Sequence, residues 1–295
     1  MRPVRVAAIQ ARPRSRTFEE MMAGGDVEHA IELLDQATAP GVDIVCFPEL
    51  CPMRGEDEMR EKAREAGVYL ICGLREDVPG AAYNTATLIG PDGKLIGRQR
   101  KVFPTAIELS RGIVPGHGYQ AFQTEVGRIG MIVCADLPFS RQGIVELKRR
   151  GAEIVFNPSW WFALGAAYPA TIIGRHLEYG IPIFGVDMAK CSLGEHTAGG
   201  FRKMFPEAGG YTTAAVPPPC GTLDELAAWF RTEPGGANSA AGFATSLGED
   251  EGVLHVTLDL EAVRNFPGYY FSENAPRLAR RELDLLGPED ESLET

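Results

Sequence analysis

Apolar and polar positions alternate along the chain in blocks that read as strands and helices in turn. Positions 4–11 predict a strand. Over 26–38, Val27, Ala30, Ile31, Leu34 and Ala37 recur on one helical face behind Asp26, a residue type suited to capping. Positions 42–47 are apolar apart from Asp43, the pattern of a strand covered on both faces. A charged helix over 56–66 and a buried strand over 68–74 follow. Positions 85–89 and 94–99 flank Gly90-Pro91-Asp92-Gly93 and predict a hairpin. The second half predicts a strand over 128–133, a helix near 139–150 and a strand over 153–156. A helix then runs from about Pro169 to Tyr179, closed by Gly180, and a strand spans 183–187. Strands mixed with helices and hairpins predict an α/β layered sandwich.

One stretch breaks the regularity. Between Pro206 and Glu251 lie Gly209-Gly210, Pro217-Pro218-Pro219, an amphipathic piece over 223–230, and Pro234-Gly235-Gly236. That is loop chemistry interrupted by one helix, an insertion at about 207–250 rather than a second domain. A strand resumes over 253–258, and an acidic tail occupies 287–295. The expectation is a single domain over 1–295.

Composition narrows the function. With 44% apolar and 23% charged residues, the chain has the ordinary globular balance, which excludes wholesale disorder. A net charge of −11 argues against nucleic acid and against an anionic membrane surface, since both favour a basic face. No apolar run approaches the roughly 20 residues that span a bilayer. The first ten residues lack the apolar core of a signal peptide. The six cysteines form no CxxC pair, and Cys46, Cys72 and Cys134 sit in apolar runs, so a reducing, cytoplasmic compartment is expected. The five histidines show no zinc spacing, and no Gly-rich loop matches a phosphate or dinucleotide fingerprint. Neither metal nor cofactor is expected.

Four side chains stand where chemistry is easily placed. Cys134 ends the apolar strand and precedes a helix, a junction that lifts a side chain off the sheet edge; it is either a nucleophile or a small core residue. Glu49 follows a buried strand and Pro48, as a general base or a loop acid. Lys101 is one of only six lysines against 23 arginines, so a compact donor rather than a planar fork is plausible there. Glu108 is a loop acid or a second buried carboxylate. Trp160 and Trp161, after Asn157-Pro158-Ser159, are pocket-wall or loop-packing residues. Tyr83 and Asn84 read as structural hairpin residues, and His176 as a helix-packing residue. Phe266, Tyr269, Tyr270 and Phe271 form an aromatic group, either a subunit contact or local packing.

Taken in order, these pieces resemble the nitrilase superfamily of carbon–nitrogen hydrolases. The resemblance runs from about Val4 to Val263 and rests on Val6-Ala7-Ala8-Ile9-Gln10, Phe47-Pro48-Glu49, Arg100-Lys101 with Glu108 and Pro115-Gly116, 127–136 around Cys134, 151–160, and Arg175-His176-Leu177-Glu178. It implies an α-β-β-α sandwich and a catalytic Glu49, Lys101 and Cys134. Glu49 would act as general base and acid, Lys101 as the donor to the tetrahedral intermediate with the Ala135 backbone N–H, and Cys134 as nucleophile. Glu108 would support Lys101, and Trp160, Trp161 and Asn157 are substrate-lining candidates. The implied partner is a small-molecule substrate, with assembly into a homo-oligomer.

Departures bear on substrate. Ala135 stands where the family usually has an aromatic, Pro138 where Arg is common, Arg141 where Glu is common, and Asp187 where Asn is usual. Glu49 to Val68 is short for the family. Ala135-Asp136-Leu137 does not resemble the Trp-Glu-His of true nitrilases, so the expected reaction is hydrolysis of a small amide or N-carbamoyl compound through a thioester, releasing ammonia. The alternatives are nitrile hydrolysis, acyl transfer from the same thioester, or a non-catalytic binding protein on this fold.

Overall fold

The computed structural model describes residues 2–38, 40–162, 165–192, 207–232 and 244–269. The predicted acidic tail, Tyr270, Phe271 and part of the predicted insertion lie outside them.

Two sheets carry the fold. The first runs β15 (Gly252–Leu258), β1 (Val4–Gln10), β2 (Ile44–Cys46), β4 (Tyr69–Val78), β5 (Ala81–Ile89), β6 (Leu95–Arg100), with the short β3 (Pro52–Met53) against β4. The second runs β14 (Ala244–Ser246), β13 (Thr213–Ala215), β10 (Ile183–Asp187), β9 (Ile154–Ser159), β8 (Gly127–Met131), β7 (Ala121–Thr124). A small ribbon pairs β11 (Cys191–Ser192) with β12 (Glu207–Ala208).

The period-2 alternation of β1 sorts its side chains between two cores. Val4, Val6 and Ala8 join Ile44, Ile71 and Leu88 against Ile129, Met131, Ile154, Phe156, Phe184 and Val186 of the other sheet. Ala7 and Ile9 face outward, with Val45, Leu70 and Cys72, onto α2 (Val27–Ala37) and α3 (Glu56–Ala66). On the far side, Ile132, Val155 and Ile183 pack on α6 (Arg141–Arg149) and α7 (Ala167–Tyr179). Helix, sheet, sheet and helix are therefore stacked in four layers, as expected. The smaller helices are α1 (Phe18–Met22), α4 (Ala106–Ser110), α5 (Asp136–Phe139), α8 (Leu223–Thr232) and α9 (Leu260–Asn265).

The structure adds to three readings of the sequence. The helix predicted near 139–150 is α6, started by Ser140, whose Oγ accepts the Gly143 N–H at 3.0 Å, and the short α5 holding Pro138 precedes it unpredicted. The stretch read as loop plus one helix supplies β13 and β14 to the second sheet. Strands of three small or polar residues are too short to show a period. The described C-terminal aromatics pack within the chain: the Tyr269 hydroxyl meets His176 Nε2 at 2.8 Å, and Phe266 packs edge-on against Tyr269. His176 is a packing residue, as expected, and burial pulls its pKa down to about 4.

One close approach decides where Glu49 sits. A Cβ placed on Gly73 in β4 would lie 2.2 Å from the Leu50 nitrogen and 2.5 Å from the Pro48 oxygen. Only glycine lets the Pro48-Glu49-Leu50 backbone cross the sheet there, with Leu50 itself at φ 53°. Gly73→Ala should therefore destabilise the fold by about 1–3 kcal/mol through overpacking. Urea denaturation of the two proteins measures it, and an unchanged midpoint would contradict this packing.

Candidate active site

β1, β2 and β4 are parallel, as are β8, β9 and β10, and β6 runs in the direction of β4. The residues just past β2, β6, β8 and β9 meet at one edge, where side chains leave the ends of strands. Those residues include Glu49, Lys101, Cys134 and Trp160, so the structure brings together the three side chains singled out from sequence.

Lys101 lies at the centre and is 2% exposed. The register pairing Thr85 with Arg100 sets it beside Asn84, and its N–H donates to the Asn84 carbonyl at 2.8 Å. Its Nζ donates to Glu49 Oε1 and to Glu108 Oε2, each at 2.7 Å. Burial opposes the ammonium, but Glu49, Cys134 and Glu108 outweigh it and raise the Lys101 pKa well above its ordinary value. The side chain stays a cation.

Glu108 is placed by a local device. Thr105 and Glu108 form a capping box at the start of α4, the Thr105 N–H and hydroxyl both donating to Glu108 Oε2 at 2.8 Å. Burial works against its charge, yet Lys101, Asn84 and Thr105 hold its pKa below the usual carboxylate range. The Thr-x-x-Glu spacing was the signal that could have placed it.

Cys134 sits at φ 45°, a strained value for a residue other than glycine, at the sharp bend between the end of β8 and α5. Its N–H bonds to the Pro158 carbonyl at 2.9 Å. The thiol lies beside the Glu49 carboxylate and the Trp160 N–H, which donates to Glu49 Oε2 at 2.9 Å. Burial chiefly, and Glu49 next, push the thiol pKa well up; Lys101 and the Trp160 N–H pull the other way. Its surroundings therefore favour the thiol over a standing thiolate.

Four residues that the sequence reading gave other roles, or none in the site, complete it. Asn84 is not merely a hairpin residue: its Nδ2 donates to Glu49 Oε1 at 2.7 Å and to Glu108 Oε1 at 2.6 Å. Asp136 accepts the Val102 and Phe103 N–H groups at 2.9 and 2.8 Å, tying the segment after Lys101 to the bend after Cys134. Burial pushes its pKa up to about 7 against the pull of those N–H groups. Asn157, expected to line the cavity, has no exposed surface; its amide donates to the Ile132 and Cys134 carbonyls at 2.8 and 3.3 Å and fastens the bend from beneath. Asp187 Oδ1 accepts the Trp161 and Met188 N–H groups at 2.8 and 2.9 Å, and burial raises its pKa well above the usual range.

The two tryptophans differ. Trp160 enters the site through its backbone N–H, while its ring packs on the cluster under α2 and α3. The Trp161 ring packs between the inter-sheet core and the layer under α7, stacked on Tyr168 at 5.6 Å. Gly116, part of the sequence pattern with Pro115, donates its N–H to the Lys101 carbonyl at 2.8 Å. No helix among the described residues is long and apolar enough to cross a membrane.

A sandwich whose two sheets deliver a cysteine, a lysine and a glutamate to one edge is the arrangement anticipated from the ordered sequence pattern. The carbon–nitrogen hydrolase family model matches residues 5–199, and the chain belongs to that family. Omega-amidase NIT2 of Homo sapiens is 26% identical over 168 residues, 48% of this chain and 61% of the human protein. The chain thus spans about 61% of the length of the curated relatives it first matches. Among solved structures, a carbon–nitrogen hydrolase from Helicobacter pylori superposes with a TM-score of 0.68 at 20% identity, covering 97% of this chain and 99% of that one. A mutant amidase from Nesterenkonia sp., bearing the acetamide moiety of fluoroacetamide on its active-site cysteine, superposes with a TM-score of 0.65 at 18% identity, covering 94% and 96%.

Proposed function

We propose that the protein hydrolyses a non-peptide carbon–nitrogen bond in a small amide or N-carbamoyl compound, through a thioester on Cys134, releasing ammonia. The observation that carries this is the placement of one buried carboxylate, Glu49, on the Lys101 ammonium at 2.7 Å and on the Trp160 N–H at 2.9 Å, beside the Cys134 thiol. Glu49 takes the thiol proton as sulfur attacks the carbonyl carbon. Charge then grows on the carbonyl oxygen, where Lys101 and the Ala135 N–H donate to it. Glu49 returns the proton to the leaving nitrogen, ammonia departs, and Glu49 next draws a proton from water as it attacks the thioester. The acid product leaves and the thiol is restored. Glu108 keeps Lys101 charged and in place.

The raised thiol pKa fits a base-assisted attack better than a preformed thiolate. The amidase relatives support an amide, and the Nesterenkonia amidase supports covalent chemistry at the cysteine. No Trp-Glu-His follows Cys134, which disfavours a nitrile. By family resemblance the protein would act as a homo-oligomer, in the cytoplasm, without metal or cofactor.

Ammonia release from a panel of small primary amides, N-carbamoyl amines and the matching nitriles tests the reading. Turnover of amides or N-carbamoyl compounds, with nitriles inert, is the expected pattern. Turnover of nitriles alone, or of nothing in the panel, goes against it. Hydroxylamine that outcompetes water for the acyl group would instead indicate a transferase.

A further inference from the structure

The two carboxylates that flank Lys101 share a second donor. Asn84 Nδ2 carries two hydrogens, and one lies on Glu49 Oε1 and the other on Glu108 Oε1, at 2.7 and 2.6 Å. With the two Lys101 bonds this closes a ring: lysine, glutamate, asparagine, glutamate. The amide orientation follows from chemistry, since only the NH2 end can face two carboxylates. Its other end has no such role. Asn84 Oδ1 is buried, on a side chain 1% exposed, and has no hydrogen-bond partner among the described residues. A buried orphan acceptor is costly, and an apolar residue would avoid it. What the residue gains there is the pair of bonds to the anions.

We propose that Asn84 is a positioning residue of this site, whose two N–H groups clamp Glu49 and Glu108 on either side of Lys101. The inference rests on the reaction proposed above and adds a reason why Glu49 is ready as a base. One ammonium alone would draw both carboxylates toward it. With Asn84 opposite, Glu49 Oε1 is held by two donors, while Oε2 takes the Trp160 N–H on the side of the thiol. Glu49 is surrounded by Lys101 beyond β6, Glu108 on α4, Cys134, Asp136 on α5 and Asp187 on β10; Arg111, at the end of α4, interacts with Glu108. Four of these neighbours are acids or a thiol, so a neutral donor that stabilises negative charge matters.

The first proton to leave the Glu49–Cys134 unit leaves a negative charge behind, whichever group releases it. Deleting the donor with Asn84→Ala, or adding a carboxylate with Asn84→Asp, moves that step to higher pH. Ammonia release from butyramide should fall on the order of 10- to 100-fold in Asn84→Ala, and further in Asn84→Asp. The acid limb of kcat/KM should rise by about one pH unit. Iodoacetamide labelling of Cys134, followed by peptide mass spectrometry, should show the same rise in its pH midpoint. Should Asn84→Asp fail to fold, Asn84→Ala carries the test alone. Variants that lose rate or thermal stability but keep the wild-type acid limb and labelling midpoint would reduce Asn84 to a structural residue and overturn the proposal. If the wild-type protein releases no ammonia from any amide, the proposed reaction fails, while the labelling midpoints still decide the role of Asn84.

Discussion

Cys134→Ala should eliminate ammonia release from any amide the protein accepts, by on the order of a million-fold, while leaving the fold intact. Only the S–H group is removed, and Glu49 keeps its bonds to Lys101, Asn84 and Trp160 without it. The bend is held through the backbone, by the Cys134 N–H on Pro158 and the Asn157 amide on the Cys134 carbonyl. Alanine fits the same φ of 45° with the same strain. Stability within about 1 kcal/mol of wild type is therefore expected in urea denaturation. A residue whose role was only packing would show the reverse: lost stability with activity retained.

Lys101→Met should do both kinds of damage. Its ammonium is the cation in direct contact with Glu49 and Glu108, and removing one partner of a buried charge pair leaves the others uncompensated. A loss of about 3–5 kcal/mol at pH 8 follows. The rate should fall about 100- to 1,000-fold, the usual cost of losing one donor to the developing oxyanion.

The pH dependence separates this account from a simple packing loss. In the wild-type protein the Glu108 pKa is lowered, so its stabilising contribution is present above the unfolded carboxylate pKa and lost as pH falls through the lower folded value. Without Lys101 the largest influences left on Glu108 are burial and the facing Glu49, so its folded pKa rises above the unfolded one. The folded variant then binds more protons than the unfolded chain, so its stability falls as pH rises. The gap between variant and wild type should be widest near pH 8 and narrow toward pH 5. A gap of equal size at both pH values would contradict the ring of charges.

Much of this was legible in the sequence because the key residues follow buried strands closely. Glu49, Lys101 and Cys134 each come directly or nearly so after an apolar or hairpin strand, and their order along the chain carried the family resemblance. The four layers were legible for the same reason, since β2 and the first half of β4 are covered on both faces and read as continuous apolar runs. The supporting ring was not. Asn84 meets Glu49 from 35 residues away, and Asp136 reaches the Val102 N–H from 34 away. No period or local spacing records such contacts. Asn157 misled for a related reason: it follows an apolar run beside two tryptophans, but its amide is consumed beneath the bend. The need for glycine at position 73 comes from the crossing of Pro48-Glu49-Leu50, which local sequence does not record.

In the proposed reaction an acyl group passes through the sulfur of Cys134. Rapid acid quench of the protein turning over butyramide, followed by peptide mass spectrometry, tests it most directly. A butyryl adduct is expected on the Cys134 peptide, disappearing as substrate is exhausted and absent in Cys134→Ala. Ammonia released by Cys134→Ala at the wild-type rate, or a butyryl adduct on a different residue, would contradict it.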